Sequence, residues 1–239
     1  MCADVDYRIW ELKKAVYEAN MLLPKYSLVT LTWGNVSGID RESGLMVIKP
    51  SGVPYDKLTP AKMCVVDIAD GSVKDEGYRP SSDTLTHVEL YRAYKDIGGV
   101  VHTHSPYATA WAQACRGIPC YGTTHADHFY GEIPCIRPLT QEELDEGYEM
   151  NTGKVIISEF EKRGIDPEAV PGCLCSCHGP FCWGNDPEDA VECAVITEEC
   201  AKMAFMTEVI NKKAELIPQR IMDKHYYRKH GEGAYYGQK

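Results

Sequence analysis

His102 and His104 stand two residues apart in Val101-His-Thr-His-Ser105. The surrounding stretch Val100–His104, after Gly98-Gly99, reads as a β-strand, and side chains two apart on a strand leave the same face. Two imidazoles on one face can hold a single cation. His178, just before Gly179-Pro180, is assigned to a later strand and is the candidate third ligand. Three histidines around an open fourth position are the donor set of a catalytic zinc site. Asp83 is the carboxylate best placed to complete or back that set. Sequence spacing cannot bring His178 to the other two; only the fold can.

Three polar turns are candidates for an anion: Gly34-Asn35, Ser51-Gly52 and Ser81-Ser82, with Lys49 close to the second. Glycine permits close backbone approach, serine adds a hydroxyl donor, and a helix N-terminus behind Ser81-Ser82 would favour negative charge. Each turn taken singly also reads as an ordinary surface loop. No Walker or GxGxxG pattern is present, so no nucleotide site is expected. The run Cys173-Leu-Cys-Ser-Cys-His178 invites a thiolate metal site. Strand alternation argues against it, because Cys173, Cys175 and Cys177 would point away from His178. They are expected to be small apolar core fillers.

The elements that must position these residues are read from periodicity. Residues 7–22 form an opening helix that Pro24 ends. Strands follow at Leu28–Trp33, Met46–Lys49 and Met63–Ile68, with a hairpin at Asp70-Gly71. A helix over 83–95 is capped by Ser81, Ser82 or Asp83. Ser105-Pro106 opens another, and residues 153–163 a third, ended by Gly164. Gly172–Cys177 and Phe181–Trp183 are strands. Asp186-Pro187 starts a long helix, and a last one covers 217–229. The pattern implies one α/β domain over residues 1–239, an α/β/α sandwich with a central, mostly antiparallel sheet and helices on both faces.

Of 239 residues, 44% are hydrophobic and 25% charged, as in ordinary globular proteins. The formal net charge of −10, with no Lys/Arg cluster, argues against nucleic acid. An anionic substrate would need local positive potential. No secretory signal and no run of about 18 apolar residues is seen, so no membrane partner is expected. Eleven cysteines, an odd number, suit free thiols in a reducing cytoplasm.

Five segments together resemble the class II aldolase/adducin family: Thr30-Leu-Thr-Trp-Gly-Asn-Val-Ser37, Ile48-Lys-Pro-Ser-Gly52, Pro80-Ser-Ser-Asp83, Val101–Ser105 and Gly122-Thr-Thr-His-Ala-Asp127; two more, His225-Tyr-Tyr-Arg-Lys-His-Gly231 and Ala234-Tyr-Tyr-Gly-Gln238, resemble its epimerase branch. They follow the family order over nearly the whole chain, and within the family the resemblance is to its L-ribulose-5-phosphate 4-epimerase branch. It implies one Zn2+ per subunit on His102, His104 and His178, with Asp83 at or beside the metal. It implies substrate contacts, chiefly around a phosphate, from Gly34, Asn35, Lys49, Ser51, Gly52, Ser81 and Ser82. It implies an acid/base pair, Asp127 and Tyr236, reaching the metal from a neighbouring subunit of a homotetramer, with His225 assisting. Family aldolases carry glutamate at the Asp83 position, so aspartate favours the epimerase over a zinc aldolase such as an L-fuculose-phosphate aldolase. An adducin-like interaction domain is the third reading, and retention of three histidines argues against it. The chain departs from the family in the cysteines before His178, where alanine or valine is expected.

The expected chemistry inverts C4 of a phosphorylated ketopentose. The C4 hydrogen is not acidic, but the C3–C4 bond can break and re-form, because electrons left on C3 spread into the C2 carbonyl. Arabinose use and ascorbate breakdown are both possible sources of the pentose.

Overall fold

The structure is a computed structural model describing residues 2–75, 77–231 and 233–236. Gly237 and Gln238, the end of the last motif quoted above, lie outside the described residues. In chain order the elements are α1 (Cys2–Lys25), β1 (Asn35–Asp40), β2 (Leu45–Ile48), β3 (Cys64–Asp67), α2 (Thr84–Ala93), β4 (Gly99–His102), α3 (Pro106–Gln113), α4 (Thr123–Ala126), β5 (Cys135–Ile136), α5 (Gln141–Arg163), β6 (Gly172–Cys175), β7 (Pro180–Gly184), α6 (Pro187–Ile210) and α7 (Gln219–Tyr227).

The strands form one sheet in the order β3-β2-β1-β4-β7-β6-β5. Every pairing is antiparallel except β5 with β6. Alternation along each strand divides the apolar residues between two layers. Val36, Val47, Val65, Val101, Leu174 and Cys182 pack with α1, α3 and α6. Ile39, Met46, Val66, Val100, Cys173, Phe181 and Trp183 pack with α2 and α5. The expected α/β/α sandwich is therefore present. Its middle is held close at β4, where a Cβ on Gly99 would collide with the Asp186 carbonyl, so the entry to α6 lies directly against the strand.

Local chemistry sets the helix ends. Asp186 caps α6 by accepting the N–H groups of Glu188 and Asp189 at 2.8 and 2.9 Å, with Pro187 in the first turn. Thr140 and Glu143 form a capping box that starts α5, and Gly164, left-handed at φ 62°, ends it.

Several expected boundaries are corrected. The strand at Leu28–Trp33 does not form; the backbone turns through Leu31 at φ 55°, and Leu31 and Trp33 are exposed. The true strand is Asn35–Asp40, whose turn-like residues disguise it. Ser37 belongs there because its hydroxyl is buried against His87 Nδ1 at 2.7 Å and Tyr91 Oη at 2.9 Å. Helix α5 begins twelve residues before the expected Gly153, across a break at Gly147 (φ 142°), because its first half is polar and carries no apolar stripe. Pro24 sits inside the last turn of α1 rather than beyond it.

Candidate active site

The three histidines meet, though from different local structure than expected. His102 is the last residue of β4 and pairs with Asn35 of β1 on one side and Phe181 of β7 on the other. His104 lies past the strand, one residue before Ser105, the N-cap of α3. His178 is not on a strand but in the turn joining β6 to β7. The turn passes through Cys177 at φ 62°, which breaks the alternation assumed for Cys173 to His178. Cys173 and Cys175 are buried as expected, whereas Cys177 is exposed. His178 consequently comes to His102, with ring centroids 4.5 Å apart.

One ligand nitrogen from each of His102, His104 and His178 lies within 4.8 Å of the others. His102 is stacked on Phe181 at 4.2 Å, and its Nδ1 sits 2.9 Å from the Pro180 carbonyl. An Nδ1–H donated there leaves Nε2 with a lone pair, and that atom faces His104 Nε2 at 3.1 Å. Two imidazole nitrogens so placed need a shared proton or cation between them. Burial also lowers the pKa of His104 and takes that of His178 down to about 3, both helped by neighbouring histidines, so these two rings are neutral and free to ligate near pH 7. The cluster can coordinate a divalent metal.

Asp83 stands beside the three rings, not within their ligand group. It is the N-cap residue of α2 but makes no side-chain cap bond. Its Oδ2 instead accepts from Asn35 Nδ2 at 2.7 Å. Burial works to raise its pKa, yet nearby His102 and His87, together with Asn35, hold it below the usual carboxylate range. Asn35 Oδ1 is buried with no partner in the protein.

A cavity of ≈ 360 Å³ opens over the cluster, lined by Gly34, Asn35, Lys49, Ser51, Gly52, Ser81, Ser82, Asp83 and the three histidines. Thus the three turns singled out in the sequence converge on one space. Antiparallel bridging of Pro50 to Pro80 joins two of them, with Ser81 N–H donating to Lys49 O at 3.0 Å. Gly34, at φ 74°, is required at the third: a Cβ there would meet Val29 and the His102 carbonyl. Lys49 is 2% exposed, and burial lowers its ammonium to about 8, with Asp83 opposing. Its Nζ donates to Thr32 O at 3.0 Å.

Tyr148 and Glu149 also line the cavity, and sequence reasoning missed both. The Gly147 break turns Tyr148 toward the histidines, and its Oη lies 3.1 Å from His178 Nδ1. Outer partners of this kind fix ring orientation and ligand basicity. Tyr148→Phe is expected to weaken divalent-metal affinity by about 10- to 100-fold without unfolding the chain, as read by calorimetric titration with Zn2+.

Asp127, His225 and Tyr236 do not line this cavity; they form a second group around α4 and α7. The Asp127 carboxylate accepts from Arg228 Nε at 3.1 Å, Arg228 Nη2 at 2.8 Å and His225 Nδ1 at 3.0 Å. Although partial burial raises its pKa, Arg228, His225 and Lys229 keep it below the usual range. The Tyr236 ring lies under the Arg228 guanidinium at 4.4 Å and is more than half exposed. Arg228 thus brings the two expected acid/base residues together, and sequence reasoning did not single it out.

Residues 14–205 match the family model for the Class II Aldolase and Adducin N-terminal domain. The chain belongs to the class II aldolase and adducin family. It is 57% identical over 229 residues to the L-ribulose-5-phosphate 4-epimerase UlaF of Salmonella paratyphi C (strain RKS4594), covering 96% of this chain and 99% of that one. The UlaF protein of Salmonella choleraesuis (strain SC-B67) gives the same figures. Among solved structures, an L-fuculose 1-phosphate aldolase superposes with a TM-score of 0.76 at 23% identity, covering 91% of this chain and 95% of that one. The L-fuculose-1-phosphate aldolase of Thermus thermophilus superposes at 0.64 and 22%, covering 86% and 98%. These two likenesses speak to the family fold. No described helix is long and apolar enough to cross a membrane.

Proposed function

We propose that the chain is a zinc-dependent L-ribulose-5-phosphate 4-epimerase, interconverting L-ribulose 5-phosphate and D-xylulose 5-phosphate. The observation that carries this reading is one cavity that joins the three-histidine cluster to Lys49 and the serine and glycine turns. The extent of identity to the Salmonella epimerases supports it further.

In this reading Lys49, the Ser51-Gly52 turn and Ser81-Ser82 hold the phosphate, and Gly34 and Asn35 flank the sugar. A divalent ion on the imidazoles supplies Lewis-acid stabilisation of the negative charge that develops when the C3–C4 bond breaks. The phosphate grip keeps the two-carbon aldehyde fragment in place while it turns over. One residue removes the C4 hydroxyl proton and another returns a proton on the opposite face; we assign these roles to Asp127 and Tyr236. Neither lines the cavity of its own chain; in this reading a second copy supplies them, with His225 beside them, in a homotetramer with sites at its interfaces, as the family resemblance implies. Asp83, tied to Asn35, supports the histidines electrostatically.

Incubation with L-ribulose 5-phosphate, with and without a chelator, tests the reading. Metal-dependent appearance of D-xylulose 5-phosphate is expected. Stoichiometric glycolaldehyde phosphate without the epimer would replace it with an aldolase.

Lys49 gives a pH signature. An ammonium near 8 is charged at pH 7 and progressively neutral above 8. Sulfate, whose charge is constant over this range, is therefore expected to bind about tenfold more weakly at pH 9 than at pH 7. The dependence should flatten in Lys49→Met, as followed by competition against turnover.

A further inference from the structure

Among the described cysteines, seven are buried and Cys135 is intermediate; only Cys115 and Cys177 are exposed, and these two touch. Their Sγ atoms are 3.8 Å apart across 62 residues of chain. The contact is fixed by the backbone. Cys115 N–H and Cys177 N–H both donate to the Ala112 carbonyl, at 3.0 and 2.9 Å. Both residues are left-handed, at φ 54° and 62°, a conformation that side-chain-bearing residues adopt only when their surroundings hold them there. One shared acceptor thus pins the end of α3 to the turn preceding His178. Packing does not explain either thiol, since neither is in the core.

We propose that Cys115 and Cys177 are a reversible thiol–disulfide modification site, closed by a low-molecular-weight disulfide such as oxidised glutathione. One cysteine loses its proton to solvent, and its thiolate attacks the small disulfide. A mixed disulfide forms and one small thiol leaves. The second cysteine, likewise deprotonated, attacks the protein sulfur, forming the Cys115–Cys177 bond and expelling the second small thiol. The two protein thiols are oxidised by two electrons and the small disulfide is reduced to two thiols. Bond formation requires the sulfurs to close to about 2.0 Å, which side-chain rotation supplies when the backbones are already held together. The bridge restrains the turn that carries His178. The modification does not depend on which reaction the site performs.

The test uses the full chain, folded, incubated with oxidised glutathione, then alkylated in denaturant and mapped by peptide mass spectrometry. A linked Cys115–Cys177 peptide is expected, with the buried cysteines alkylated and the link removed by dithiothreitol. In Cys115→Ser, glutathione should remain on Cys177, and in Cys177→Ser on Cys115. Amide exchange at Cys177 and His178 should slow by about tenfold in the bridged protein. Glutathione on both residues of the unsubstituted protein without a link, two free thiols after treatment, or a link only between chains would each overturn the proposal. Unchanged exchange in the bridged protein would overturn the restraint on the turn.

Discussion

His104→Ala is expected to lose its divalent ion, with affinity weakened by about a hundredfold or more, because two imidazoles make a poor site where three made a good one. The substitution is clean. His104 is half-buried at the cavity edge, past the end of β4, and its packing neighbour Trp33, 6.0 Å away, is itself exposed. The fold should survive, since the strand ladder ends at His102 and the α3 cap begins at Ser105. Elemental analysis after dialysis, with a chelator competition, checks it; a stoichiometric ion in the variant would contradict the ligand set. The same burial that keeps His178 neutral down to about pH 3 means the ion displaces no proton from that ring near neutrality. The His178 ring should therefore add no proton-linked dependence to metal binding near neutrality.

Asp127→Asn is expected to slow epimerisation by about 10²- to 10⁴-fold while leaving metal content and circular dichroism unchanged. The geometry separates the two effects. Asp127 is outside the three-histidine ligand group and outside the metal cavity of its own chain, so the ion should be retained. It does anchor α7 through Arg228 and His225, so a modest fall in thermal stability should accompany the loss of turnover. A stability effect alone, with normal turnover of the folded protein, would remove the residue from the chemistry. Mixing Asp127→Asn with His104→Ala subunits gives a further check. If one copy supplies the metal and another the carboxylate, mixed assemblies recover activity that neither variant has alone.

The sandwich was legible in the sequence because both its faces are apolar, and β2, β3 and β4 carry short apolar runs whose successive residues serve opposite layers. Val100 and Val101, for example, serve opposite layers. The turns that line the cavity were legible because glycine, serine and proline mark them. What misled were segments whose composition and burial disagree. Leu28–Trp33 looks like a strand, but Leu31 and Trp33 find no buried surface. Asn35–Asp40 looks like a turn, yet its first five residues are buried, with the Asn35 Nδ2 group donating to Asp83 and the Ser37 hydroxyl bonded to His87. Tyr148 gave no signal, since only the break at Gly147 points it at His178.

Residue types alone determined that this chain could bind a cation and an anion, since imidazoles, a lysine and glycine-serine turns carry that chemistry wherever they fall. Tertiary structure decided that they act on the same space: strand pairing sets Asn35 against His102, and a left-handed Cys177 swings His178 back to it. It also separated Asp127 and Tyr236 from the cavity their own chain builds. Contacts between residues distant in sequence depend on how the whole chain closes, and local spacing carries no record of that closure.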